Sequence, residues 1–251
     1  MKAKKVYEFR TSGEIVRMGV DVLIERRIKD WLSRINWNKH RKEITYHYDN
    51  KRNTIVLNGE ILLTVKDHEF PEIPEVKNIK WEVDTIHAFY SSITKLPDNL
   101  TVKNELNLNN NIGLKYLPKN LKVYGNFLSE SSELIELPDD IYIDKAISLK
   151  LSKNLNNIGN LKFVNGDLDL DYCKSLKYLP DNLTVDGELY LDYTGIIELP
   201  ENLTVNGSLT LNGTKITKLP DSLKVGRKLE LKNTIIDRHD IDYNKFEKVI
   251  I

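Results

Sequence analysis

The chain is poor in the residues that disulfide, metal and membrane chemistry require. It has a single cysteine, Cys173, in 251 residues, which excludes an intramolecular disulfide framework and any CxxC-type metal site. The five histidines, His40, His47, His68, His87 and His239, are dispersed, with no HxxxH or HxH pair to give one metal two imidazoles. The phosphate-cradling GxxxxGK[ST], the dinucleotide GxGxxG and the nucleophile-bearing GxSxG do not occur. There is no net charge, 37 basic side chains standing against 37 acidic ones, so no global charge drives the chain to nucleic acid or membrane. No run approaches the ~18 apolar residues of a membrane span, and the opening MKAKKVYEFRTSGE lacks the apolar core of a signal peptide. The expectation is a soluble protein of a reducing cytoplasm, without metal, cofactor or catalytic residues.

What the chain does have is a repeat. LPDNLTVDGELYLDYTGIIE from Leu179 is followed by LPENLTVNGSLTLNGTKITK from Leu199, sharing the frame LPxNLTVxGxLxLxxTxIxx. Self-similarity at this period signals a solenoid. The LxL pair alternates like a strand with one face on a core. The Gly two residues before it suits a bend with positive φ. The Thr three residues after the pair can close a turn with its hydroxyl. LPxNL, with Pro fixing φ and lacking a donor, reads as an extended return segment. Such a coil cannot bury its apolar edge alone and needs neighbours.

The frame extends along most of the chain. Core pairs fall at Ile61/Leu63, Ile86/Ala88, Leu106/Leu108, Phe127/Ser129, Ile147/Leu149, Leu168/Leu170, Leu189/Leu191, Leu209/Leu211 and Leu229/Leu231. The first pair is ambiguous. Asn58-Gly59 is a hairpin-turn dipeptide, yet TIVLNGEILLTV also aligns as a first coil, which the following Phe70-Pro71 favours. Residues 1–53 lie outside the frame: VYEFR reads as a strand, Leu23, Ile24, Ile28, Trp31, Leu32 and Ile35 form a helical stripe, and ITYHY reads as a second strand. The expected architecture is therefore an α+β N-terminal cap over 1–53, a β-rich parallel-strand solenoid of about nine coils over 54–236, and a C-terminal cap over 237–251. Coils of 20 or 21 residues leave no room for a return helix.

The frame LxLxxTxI with LPxxL resembles the short leucine-rich repeats of bacterial effectors, and more closely the LPDNLxVxGxLxLxxTxI solenoid proteins of tailed phages, which also begin with a segment like Lys5 to Leu32. The resemblance implies a leucine-rich-repeat-like binding scaffold, phage-encoded and acting on a host protein in the host cytoplasm. It departs from the usual repeat in placing Thr194, Thr214 and Thr234, or Ser91, Asn111, Ser132, Ser152 and Cys173, where asparagine is usual. Hydroxyl groups must then close most turns.

Outward positions of successive coils stack into columns. His87, Asn107, Leu128, Ser148, Asp169, Tyr190, Thr210 and Glu230 form the first. Phe89, Asn109, Glu130, Lys150, Asp171, Asp192, Asn212 and Lys232 form the second. Tyr90, Asn110, Ser131, Leu151, Tyr172, Tyr193, Gly213 and Asn233 form the third. Asp169, Asp171, Tyr172, Tyr190, Asp192 and Tyr193 thus make an acidic, aromatic patch, and His87, Phe89 and Tyr90 a second aromatic cluster. Tyrosine among charges suits a protein-binding hot spot, or merely a packing ladder across strands. Residues 1–52 carry 14 basic against 7 acidic side chains, a surplus of seven. Arg26, Arg27, Arg34, Lys39, Arg41 and Lys42 could meet phosphates, although a solvated helix face explains them too and no nucleic-acid-binding signature accompanies them. Opposite charge on cap and array also permits self-association. Cys173 in a Thr slot reads as a structural thiol, and Asp237, His239 and Asp240 as a solvated turn.

Overall fold

The computed structural model describes residues 26–28, 30–31, 45–49, 51–63, 72–74, 76 and 79–251. The expected strand at Val6–Arg10 and four of the basic candidates, Arg34, Lys39, Arg41 and Lys42, lie outside them. The described part is a parallel β-solenoid of about eight turns with almost no helix.

The solenoid opens on long strands. β1 (Thr45–Asp49) pairs antiparallel with β2 (Thr54–Leu62), and β2 pairs parallel with β3 (Lys80–His87), which pairs parallel with β4 (Leu100–Asn107). Asn58-Gly59 is no hairpin turn: β2 runs straight through it, with a register shift between Leu57 and Glu60, and Gly59 N–H donates to Asp84 Oδ2 at 2.7 Å. A bulge of this kind bends a strand without reversing it.

Beyond β4 each strand divides at a corner. β5 (Lys122–Val123) follows the first half of β4 and β6 (Asn126–Leu128) the second. Gly125 sits between them because a Cβ there would fall 1.3 Å from the Asn104 carbonyl oxygen. Room, and not backbone sign, is the general demand at the corner: Gly59 and Gly166 have positive φ, whereas Gly125, Gly187, Gly207 and Gly226 do not. The expectation of positive φ is corrected accordingly.

The first sheet continues through β8 (Ile147–Ser148), β10 (Leu168–Asp169), β12 (Leu189–Tyr190), β14 (Leu209–Thr210) and β16 (Lys228–Glu230). The opposite wall carries β7 (Tyr142–Ile143), which pairs with β5, and a separate sheet of β9 (Phe163–Val164), β11 (Thr184–Val185), β13 (Thr204–Val205) and β15 (Lys224–Val225). Ile61, Ile86, Leu106, Phe127, Ile147, Leu168, Leu189, Leu209 and Leu229 align rung upon rung, and all nine expected core pairs are buried.

The LPxN segment turns instead of running extended. Asn99, Asn120, Asn182 and Asn202 adopt φ of 54–58°, the left-handed conformation asparagine tolerates, and Asn120 and Asn202 each bond the asparagine one coil earlier at 3.1 Å. The Thr slot works through hydroxyls. Thr194, Thr214 and Thr234 donate to the carbonyl three residues back at 2.7–2.8 Å, as Ser91 does at 2.6 Å and Ser132 at 2.9 Å.

Both ends differ from the repeat. Ile28 and Trp31, two positions of the N-terminal stripe, are helical and buried, with the Trp31 ring edge-on to Trp81 at 5.8 Å. At the other end the frame vanishes from the sequence, yet β17 (Lys248–Ile250) adds a further parallel rung that sets Val249 on Leu229. Two 3₁₀ turns, Arg238–Asp240 and Tyr243–Lys245, lead to it, and Ile241 is buried against the last coil.

Candidate functional site

The three outward columns of the first sheet have three different local causes. In the first, residues stand midway between two core positions and share the strand register: Asp169 aligns with Ser148 and Tyr190, and Tyr190 with Thr210. In the second, four of the eight side chains accept the backbone N–H of the next coil. Asn109 Oδ1 accepts from Glu130, Asp171 Oδ1 from Asp192, Asp192 Oδ1 from Asn212 and Asn212 Oδ1 from Lys232, each at 2.8 Å. The third column has positive φ in all eight coils, from 51° at Tyr90 to 68° at Gly213. Asn110, Gly213 and Asn233 are at home there, but Tyr90, Leu151, Tyr172 and Tyr193 are not, since left-handed backbone costs an ordinary L-residue about 1–2 kcal/mol.

Two of these strained residues meet. The rings of Tyr172 and Tyr193 stack with centroids 5.0 Å apart and planes inclined by 17°, close to the ~4.8 Å spacing of neighbouring strands. Gly213 follows in the column, where a Cβ would lie 2.6 Å from Cδ1 and Cε1 of Tyr193. The ring therefore leans over a residue that must stay bare. Tyr193 remains 43% exposed.

Carboxylates flank the stack. Asp171 is buried and Asp169 half-buried, and Lys150 Nζ stands 3.4 Å from Asp171 Oδ2 and 3.9 Å from Asp169 Oδ2. Burial pushes both carboxyls above the ordinary aspartate value. The negative charge of Asp171 adds to this at Asp169, and that of Asp192 at Asp171. Burial opposes the Lys150 charge, but the two aspartates outweigh it and hold the ammonium upward. Tyr190 donates its hydroxyl to Glu188 Oε2, which makes that proton harder to remove. Asp169, Asp171, Tyr172, Tyr190, Asp192 and Tyr193 thus come together on two successive coils.

The remaining candidates fall elsewhere. His87, Phe89 and Tyr90 form an edge-to-face chain with centroids 5.9 and 6.1 Å apart, and His87 Nε2 lies 2.5 Å from Glu60 Oε1. Four rungs, or roughly 19 Å at the strand spacing, part this cluster from the tyrosine stack. Arg26 and Arg27 are exposed on the helical segment. Cys173 is buried, donates to the Leu149 carbonyl at 3.1 Å, and has its thiol pushed up to about 12 by burial, so it stays protonated near neutrality. Asp237, His239 and Asp240 are exposed, with Asp237 capping the His239 N–H at 2.9 Å.

An aromatic surface on the opposite wall has no counterpart among the sequence candidates. The rings of Tyr124 and Tyr142 lie 5.4 Å apart, and Phe163 is 54% exposed, where the wall's ladder breaks between β7 and β9. The break falls at the one coil with Ile158-Gly159 in place of Leu-Pro. No group of three or more His, Cys, Asp or Glu side chains among the described residues is placed to hold a metal. No helix among them is long and apolar enough to cross a membrane. No family model and no curated protein matches the chain.

Proposed function

We propose that the chain is a non-enzymatic, leucine-rich-repeat-like scaffold that binds a protein partner on its first-sheet face, with an α+β cap closing the N-terminal end. One observation carries this reading: two tyrosines held at positive φ, stacked and partly exposed, beside carboxylates on a sheet whose register is locked by the core. Strained, bulky residues at a surface position that asparagine or glycine would fill more cheaply point to selection for what the side chains touch. A rigid sheet also loses little conformational freedom on binding. By the resemblance of its repeat, the protein is phage-encoded and works in the host cytoplasm, inhibiting or redirecting a host protein such as a defence factor by covering it.

The test is affinity capture from bacterial lysate, with and without nuclease, using the native chain and a Tyr172→Asn/Tyr193→Asn variant. A stoichiometric protein that survives nuclease and is lost with the variant supports the reading. Capture untouched by the variant removes this face from consideration. Recovery that nuclease abolishes favours the alternative, a nucleic-acid or nucleoprotein binder using the basic segment on which Arg26 and Arg27 are exposed.

A further inference from the structure

The N–H-capping column makes the same bond with two kinds of side chain. Asn109 and Asn212 accept the next coil's N–H at 2.8 Å, as Asp171 and Asp192 do. The ladder therefore needs a carbonyl-type oxygen and no charge. Aspartates on consecutive rungs repel each other, and asparagine would avoid that cost. The two charged residues among the four that cap, Asp171 and Asp192, are also the two that flank the stacked tyrosines. Their second oxygens are also in use, Asp192 Oδ2 accepting from Asn212 Nδ2 at 2.9 Å and Asp171 Oδ2 from Lys150 Nζ at 3.4 Å, but these bonds leave most of the negative charge of the two coils unneutralised.

The surroundings do not supply a matching cation. On the coils of β10 and β12 the strand face carries Asp167, Asp169, Asp171, Glu188 and Asp192, five carboxylates. Lys150 is the one cation within 4 Å of any of them among the described residues, with Lys228 attracting Glu188 from farther away, so the carboxylates outnumber the cations that meet them. Burial of Asp169 and Asp171 makes that shortfall dearer than at an open surface, because water screens it less. Directly beside it lies the Tyr172–Tyr193 stack, whose rings are negative on their faces.

We propose that this face takes an arginine-bearing segment of a partner protein, a guanidinium lying on the tyrosine stack with its N–H groups on the carboxylates beside it. The inference rests on the reading of the strand face as a protein-binding surface. A guanidinium fits because it is planar, stacks on aromatic rings and bonds carboxylates through a fixed fork, whereas an ammonium is a compact, strongly hydrated point charge. Phosphate-bearing ligands are repelled by the same carboxylates. The His87–Phe89–Tyr90 cluster is an edge-to-face chain without a stacked pair and presents no equivalent platform.

The experiment is a titration of the full chain with labelled tetra-arginine, tetra-lysine and tetra-glutamate peptides at about 0.15 M salt, read by anisotropy and by tyrosine ring NMR shifts. Tetra-arginine should bind about five- to tenfold tighter than tetra-lysine, with shifts at Tyr172 and Tyr193, and tetra-glutamate should not bind. Tyr172→Asn/Tyr193→Asn should bring tetra-arginine down to the tetra-lysine level. Asp192→Asn, which keeps the N–H acceptor, should weaken both cations. Equal binding of the two cations, or arginine binding indifferent to the tyrosine variant, would reduce the site to a plain acidic surface and overturn the proposal. Sedimentation supplies the remaining arm: self-association lost in Arg26→Glu/Arg27→Glu would put the chain's own basic segment on this face and overturn the assignment to another protein. If a captured partner is displaced by the tyrosine variant but not by tetra-arginine, the arginine inference fails while the binding face stands.

Discussion

Glu82 and Asp84 on β3 are matched by cations, whereas Asp169 and Asp171 on β10 and its turn share one. Glu82 on β3 meets Lys103 Nζ at 3.0 Å and Arg52 at 2.8 Å, and Lys103 also reaches Asp84 at 3.2 Å. Burial opposes the Glu82 charge, but the two cations outweigh it and hold its carboxyl below the ordinary value. On β10 and its turn, Asp169 and Asp171 share Lys150 and are pushed the other way. The strands differ in parallel: eight or nine residues in β2 to β4, two in β10 and β12. At Glu82 and Asp84 the charge is matched, on the long strands that open the array. At Asp169 and Asp171 it is matched only in part, on a backbone just as firmly registered, as the proposed binding face would require.

Breaking the anchored end should have the largest effect. Trp81→Ala removes a fully buried ring that packs on Trp31, and should cost about 3–5 kcal/mol. Because coils touch only their neighbours, hydrogen exchange should show protection lost at β1 to β4 and retained at β10 to β14. Uniform loss along the array would mean that the two regions are one cooperative unit. Next in size is the effect on binding of Tyr172→Asn/Tyr193→Asn. Capture should vanish while unfolding stability moves by less than about 1 kcal/mol, since relief of left-handed strain offsets the lost stacking.

The capping column gives a finer comparison. Asp192→Ala leaves the Asn212 N–H without its acceptor and should cost about 1 kcal/mol by chemical denaturation. Asp192→Asn keeps the N–H acceptor and loses only the bond from Asn212 Nδ2, so it should cost less than Asp192→Ala, about 0.5 kcal/mol, while weakening cation binding. A large loss of stability on Asp192→Asn would mean that the charge serves the fold.

The smallest effect is in pH, and its sign differs between the regions. Glu82 titrates below its unfolded value of 4.5, so its contribution to stability is present above 4.5 and is lost as pH falls through the lower folded value. Asp169 and Asp171 titrate above the unfolded 3.8, so the fold binds protons there and the middle rungs gain stability as pH falls through that range, while cation binding weakens. Carboxyl carbon NMR titration should place Glu82 below 4.5 and both aspartates above 3.8. The reverse order would remove the electrostatic distinction.

Much of the ladder can be read from the sequence because a period of 20 or 21 residues forces like residues onto one line. Ile61 through Leu229 stand in register for that reason. Val249 is not legible, since KVII carries no frame, and it reaches the same line only because two short turns use up the intervening length. The left-handed column is half-legible. Asn110, Gly213 and Asn233 announce it, but tyrosine at Tyr172 and Tyr193 conceals it, because a bulky residue is not expected at positive φ. The sequence brings the acidic patch together without disclosing that Asp171 and Asp192 are first of all backbone acceptors. Nor does it reveal the Tyr124–Tyr142 pair, which depends on where the second wall breaks.

The most direct test of the central claim is the pairing of capture with stability for Tyr172→Asn/Tyr193→Asn against the native chain. The account predicts an equally stable solenoid that no longer retains its partner. A variant that is equally stable and captures the same protein in the same amount would contradict it.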